Sequence, residues 1–435
     1  MKKHHYHLLA ILIAVAFAVP GIFTGISGYA MGILDNPSSG IFWVILVTVL
    51  AGAAILSASF LLLWACDAAQ SDIPQTLALA VVALIAVLPE YAVDMYFTWQ
   101  AGQNPEGPYA SYCIANMTGA NRLLIGVAWS LIAVIFWFRT RKEVRIGSDR
   151  RTELFFLGIA TLYALIIPLK GTLTLTDFAV FFAIYIWYII IASKRPLSEF
   201  EAEGPAELLY KLPRLKRRIA TLLMFLFAAG TILANAGSFS EGLVSSGKLL
   251  HINEFLLVQW LAPVASEAPE FIVAIMFAFR GQAGLALGSL LSAKLNQWTL
   301  LVGMIPLVYA ISAKTVAHPI PMGSFQMHEI LLTAAQSLMA VVLLANLRLS
   351  ITQALLLFAM FIGQFVAPPI VEAYPQISPF SLQGENVHQL FSILYAAIAI
   401  GLYLDQPGRL SHLWLGAKVS TWKDGDPGIS SEEES

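Results

Sequence analysis

Two short segments of this sequence set carboxylates beside prolines in otherwise apolar surroundings. One runs Ala86-Val87-Leu88-Pro89-Glu90-Tyr91-Ala92-Val93-Asp94, the other Ala265-Ser266-Glu267-Ala268-Pro269-Glu270-Phe271-Ile272-Val273-Ala274. Read as helices, Asp94 lies one turn on from Glu90 and Glu267 lies three residues before Glu270, so each pair shares a face. Proline inside a helix removes an amide donor and clashes with the carbonyl four residues earlier. Pro89 is therefore expected to disturb the bond to Ile85, and Pro269 the bond to Ala265. Carboxylates, freed carbonyls and side-chain oxygens are hard donors, and a cation such as calcium takes about 6–8 of them. A span rich in small residues follows each segment, with Ala115-Asn116-Met117-Thr118-Gly119-Ala120-Asn121 in the first and Gly288-Ser289-Leu290-Leu291-Ser292-Ala293-Lys294 in the second. These supply Asn116, Thr118, Ser289 and Ser292 as neutral donors beside Ser266. The candidate set for a transported cation is Glu90, Glu270, Asn116, Ser289, Asp94, Glu267 and Ser266.

Each of these residues also has a plainer reading. Asp94 and Glu267 could be paired structurally with Arg122 or Lys294, which fall inside spans. A helix serine usually bonds its own backbone, and Gly281, Gly284 and Gly288 suit close helix packing.

The setting of these groups follows from composition. Apolar residues make up 58% of the 435 positions and charged residues 12%, against about 45–50% and about 25% in soluble domains. Mean hydropathy is +0.74. No soluble core buries so much apolar surface, so lipid is the expected solvent. An ionisable group at the bilayer centre costs about 2.5–3.5 kcal/mol. Four of them are therefore expected to converge on water, a cation or protons. Cys66 and Cys113 offer neither zinc spacing nor a disulfide framework, and His4, His5 and His7 read as a hydrated terminus. The chain has no GxxxxGK[ST] loop, no HExxH and no GxSxG, so no bound nucleotide, no resident cofactor and no enzyme activity is expected. The expected partners are ions and the lipid bilayer, with no nucleic acid; the oligomeric state is left open.

A span takes about 20 mostly apolar residues. Twelve candidates fall at roughly 8–33, 41–69, 73–100, 109–138, 153–169, 172–192, 219–247, 253–279, 283–312, 327–346, 349–367 and 387–405. The first, preceded by Lys2 and Lys3, reads as a retained helix rather than a cleaved leader because the apolar run continues past Pro20. Most of the 25 basic residues fall at the N-terminus, on even-numbered loops or in the tail, which predicts both ends cytoplasmic in the plasma (inner) membrane. The segment 194–218, with Pro196, Pro205 and Pro213, is the one substantial linker. The expected organisation is an extra helix in 1–39, a first five-helix repeat in 40–193, the linker, a second five-helix repeat in 219–368, an extra helix in 369–408 and a tail in 409–435. The tail is polar and reads as disordered.

The two Pro-Glu segments fall on the third and eighth spans. An odd number of spans separates them, so the two helices run in opposite directions. Inverted repeats with interrupted helices are how many secondary transporters build a site near the midplane. At these residues the sequence resembles the cation/calcium exchanger superfamily, and within it the sodium/calcium exchanger membrane-region family. Each inverted repeat of that family carries a Gly-Thr-Ser-x-Pro-Glu-like helix and then a helix with Gly-Asn-x-x-Gly-Ser-Asn. The resemblance runs from about Gly40 to Pro368 and is specific around the two repeats. It implies an all-α polytopic fold of ten core helices, here with one more before and one after. It implies that Glu90 and Glu270 are the central cation-binding glutamates, with Asn116 and Ser289 flanking them. Its implied activity is secondary cation antiport, sodium for calcium by alternating access, or proton-coupled cation exchange on the same fold. This chain departs from the pattern at Ala86 and Val87, which replace the Thr-Ser pair, at Ser266-Glu267, and at Lys294, which stands where the pattern has Asn. A lysine ammonium there could take one cation's place.

Overall fold

The computed structural model describes residues 2–36, 39–70, 72, 87–194, 204–316, 318–374, 384–406, 408 and 413–417. The opening of the third predicted span, most of the inter-repeat linker and the tail lie outside these residues. Twelve main helices follow in chain order: α1 Lys2–Ile26, α2 Ile41–Gln70, α3 Leu88–Gln103, α4 Tyr109–Thr140, α5 Ser148–Lys170 and α6 Leu175–Ala192 in the first half. The second half gives α7 Arg214–Leu250, α8 Glu254–Phe279, α9 Ala283–Ser312, α10 Ser324–Leu344, α11 Ile351–Ala373 and α12 Gly384–Asp405. Eleven helices among the described residues are long and apolar enough to cross a membrane. The remaining one, α3, is described only from Leu88.

Contacts between loops bear on the topology. A two-residue antiparallel ladder joins Val144–Arg145, after α4, to Arg348–Leu349, after α10. A single bridge joins Leu173, after α5, to Ile320, after α9. Asp72, after α2, accepts from Arg217 at the start of α7 at 2.7 and 3.0 Å. Even-numbered loops meet even and odd-numbered loops meet odd, as helices crossing a bilayer alternately require.

Burial separates a centre from a periphery. The most apolar windows of α9 and α10 are 78% and 83% buried, against 17% for α1 and 22% for α11. The main core draws on α2 through α12. A second, smaller cluster joins α1, α2 and α7 through Ala14, Ala58, Leu61, Leu62, Ala228, Ile232 and Ala236, with Ala92 of α3 at its edge. Small residues there let backbones approach where lipid gives no hydrophobic drive between helices.

The repeat is also written into the backbone. Both α4 and α9 pass through one π-helical stretch, Leu124–Trp129 in the first and Gln297–Leu301 in the second. Each opens three residues after Asn121 or Lys294, the positions matched by the sequence repeat. Such π segments inside α-helices occur frequently at functional sites.

The two prolines sit differently in their helices. Pro89 sits in the first turn of α3, after Val87 as N-cap, where a missing amide costs nothing. The bond to Ile85 lies outside the described residues. Pro269 lies within α8, which runs on without interruption from Glu254 to Phe279 and also contains Pro263. The second half therefore holds a proline-containing continuous helix rather than a broken one. Gly281 is likewise corrected: its φ of 86° marks the turn that ends α8, and a Cβ there would meet nothing within 4 Å. Gly284 and Gly288 do allow close approach, but to Arg145 of the loop after α4 and to Arg150 in the first turn of α5.

Candidate cation site

Four helices carry the site. On α3, Glu90, Asp94 and Thr98 recur every four residues and are all buried. Across from them α4 sets Asn116, whose amide donates to Asp94 Oδ1 at 3.2 Å. The second half repeats this motif with different residues: Gln297 of α9 donates to Glu267 Oε1 of α8 at 3.1 Å. In both halves an amide on the second helix of the motif holds one oxygen of a carboxylate and leaves the other bare. Asp94 Oδ2 and Glu267 Oε2 have no hydrogen-bond partner, and neither oxygen of Glu90 has one. Glu90 lies within electrostatic range of Asp94, Glu270, Glu267 and Lys294. A buried carboxylate oxygen without a donor is costly unless a proton or cation satisfies it.

The sequence-predicted residues divide by placement. Glu90, Asp94, Asn116, Glu267 and Ser266 are buried, and Glu270 is half-buried. The Ser266 hydroxyl donates to the carbonyls of Ala262 at 3.1 Å and Pro263 at 3.3 Å, so its proton is committed to its own helix. Ser289 is exposed, one turn beyond the exposed Leu285. That is the outer side of α9, opposite in character to the buried Asn116 with which the repeat aligns it. Ser292 accepts from Arg150 at 3.1 Å and so faces the first turn of α5. Among the described residues no three His, Cys, Asp or Glu side chains are gathered as a metal-chelating group.

The basic residues do not pair as the sequence suggested. Lys294 is fully buried, donates to Asn121 Oδ1 at 2.7 Å and to the Asn121 carbonyl at 3.2 Å, and lies 4.5 Å from the Trp298 ring centroid. Asn121 and Lys294 are equivalent positions of the two repeats, and they meet each other, as residues beside a two-fold axis do. Arg122 pairs with Glu329 of α10 instead of Asp94 or Glu267. Glu329 also accepts from Gln259 of α8 at 2.5 Å and lies 2.9 Å from His388 Nδ1 of α12.

This second buried network was missed at the level of sequence. The available signal was an ionisable residue inside a predicted span, since Glu329 and His388 both fall within spans. Another feature missed is Pro263, which removes the amide that would bond the Gln259 carbonyl. That carbonyl is where α4 comes closest: a Cβ on Gly119 would stand 1.8 Å from it. The two site helices cross tightly because one has a glycine and the other a carbonyl with no helical donor.

The arrangement can exchange small positive charges. It offers four carboxylates, three of them within range of the fourth, Glu90, with bare oxygens on three of the four and the Lys294 side chain close by, all inside a bundle with an apolar surround.

Comparison with known proteins bears on this geometry. The model of the family described as sodium/calcium exchanger protein matches residues 43–194 and 220–367. The crystal structure of the H+/Ca2+ exchanger CAX superposes with a TM-score of 0.84 at 38% identity, covering 96% of this chain and 99% of that one. The sodium–calcium exchanger NCX_Mj, in one of its soaked forms, superposes with a TM-score of 0.50 at 16% identity over 77% of this chain and 99% of its own; that likeness concerns the fold. Comparison with curated proteins gave no match.

Proposed function

The chain belongs to the sodium/calcium exchanger family, and on that premise we propose that it is a secondary antiporter moving calcium against protons. It is an integral, multi-pass membrane protein. The observation that carries the proton-coupled reading is Glu90: both oxygens are buried and unpartnered, with three further carboxylates in range. Such a group holds either a proton or part of a divalent ion's charge, and repulsion among neighbours makes the two occupancies exclude each other. Opposing fluxes then compete for one site, which is what antiport requires. The first helices of the two repeats, α2 and α7, pack with α1 through the small-residue seam, and their movement against the core would open the site to one side at a time. The basic-residue bias supports an orientation with both ends of the chain on the cytoplasmic side.

Sodium coupling is the second reading and rests on the matching family model. Radiolabelled calcium uptake into proteoliposomes, driven separately by a pH gradient and a sodium gradient, tests both. Proton-driven uptake that is lost in Glu90→Gln and Glu267→Gln is the expected result. Uptake driven by sodium alone would overturn proton coupling, and no calcium flux under either gradient would overturn calcium as the substrate.

A further inference from the structure

Four side chains gather at the first-repeat end of the site, and three of them, Asp94, Thr98 and Cys113, have only alanine at the equivalent positions of the second repeat. Thr98 of α3 and Cys113 of α4 lie 3.0 Å apart, Oγ1 to Sγ. Cys113 also neighbours Asp94. Asn116, one turn along α4 from Cys113, holds Asp94 Oδ1 through its amide nitrogen. All four residues are fully buried. The oxygens not used in these bonds, Asp94 Oδ2 and Asn116 Oδ1, have no partner. The equivalent positions of the second repeat are Ala274 for Asp94, four residues past the Pro-Glu glutamate, and Ala286 for Cys113, eight residues before Lys294.

We infer that Asp94, Asn116, Cys113 and Thr98 form a subsite for a thiophilic divalent cation, confined to the first repeat. The inference rests on the reading of Asp94 and Asn116 as ion-facing residues of the antiporter. Carboxylate, amide and hydroxyl oxygens alone suit hard ions, whereas a sulfur donor shifts preference toward softer ones. Sulfur ligates as thiolate, so binding releases the thiol proton to solution. Cys113 is then a specificity-determining residue: it lets the pathway hold cadmium-like ions that an all-oxygen site holds weakly.

The test uses the purified full-length chain carrying Cys66→Ser, which leaves Cys113 as the single thiol. Cadmium is titrated without a gradient, and the ultraviolet sulfur-to-cadmium charge-transfer band is read. A saturable band that is abolished by adding Cys113→Ser, and whose midpoint rises about tenfold or more in Asp94→Asn, is expected. No band, or a band that survives Cys113→Ser, overturns the subsite. If the Cys66→Ser background does not fold, the band is compared between the unmodified chain and Cys113→Ser alone, with the same two outcomes. Radiolabelled calcium flux in the same preparation separates this inference from the antiport reading. Flux without a band overturns the subsite and leaves antiport standing. A band without flux supports the subsite while counting against exchange.

Discussion

Removing the Arg122 guanidinium, as in Arg122→Met, leaves the Glu329 carboxylate with Gln259, Thr118 and His388 as its remaining partners. The two partners of the ion pair are 1% and 0% exposed, so the roughly 0–1 kcal/mol typical of surface pairs does not apply. Breaking a buried pair by removing one member costs about 3–5 kcal/mol, because a charge is left uncompensated. Glu329→Gln is expected to cost a similar amount by stranding the arginine. The double variant removes both charges and keeps an acceptor for Gln259. It should therefore be much less damaging than the sum, with a coupling of about 2–3 kcal/mol. Unfolding in mixed micelles, followed by fluorescence for the four proteins of this cycle, measures it. Trp260, one of ten tryptophans, lies 5.2 Å from the guanidinium. Single penalties below about 1 kcal/mol, or penalties that simply add, would refute the reasoning.

Gly119→Ala places a methyl 1.8 Å from the Gln259 carbonyl, whereas Gly158→Ala meets Val341 at an ordinary 3.6 Å. The first should cost about 1–3 kcal/mol or more by forcing α4 from α8; size-exclusion profiles and calcium uptake should show it impaired and Gly158→Ala unimpaired. At the junction of α2 and α7, the hydrogen-bonded Arg217 guanidinium holds the Asp72 carboxyl down at about 2 from an ordinary 3.8. A depressed carboxyl stabilises the fold above its unfolded value and loses that contribution as pH falls through the folded one. Asp72→Asn should therefore melt below the unmodified chain at neutral pH, and the gap should close between about pH 4 and pH 2. A gap that persists at the acid end would count against the ion pair as its cause.

Much of the architecture was legible in the sequence. Span lengths, the odd separation of the two Pro-Glu segments and the grouping of basic loops depend on local composition, and the structure places α1 through α12 in the predicted order. The carboxylates were legible too, because an ionisable residue in an apolar run stands out against its neighbours. The network around Glu329 was open to the same logic, which the repeat pattern drew away from α10.

What the sequence by itself determined was the solvent, the helices, the inverted repeat and the carboxylates that lipid could not tolerate without a task. Only the tertiary structure decided which way each helix is turned and which polar groups meet. In a soluble protein the apolar stripe marks the buried face, but here lipid and core are both apolar and helical phase is almost silent in the pattern. Hence Ser289 aligns with Asn116 yet lies on the exposed side, and Arg122 passes over the neighbouring site carboxylates to reach Glu329 on α10. Hence also Lys294 meets Asn121, a contact set by the symmetry axis between two helices 173 residues apart in sequence and by nothing local to either.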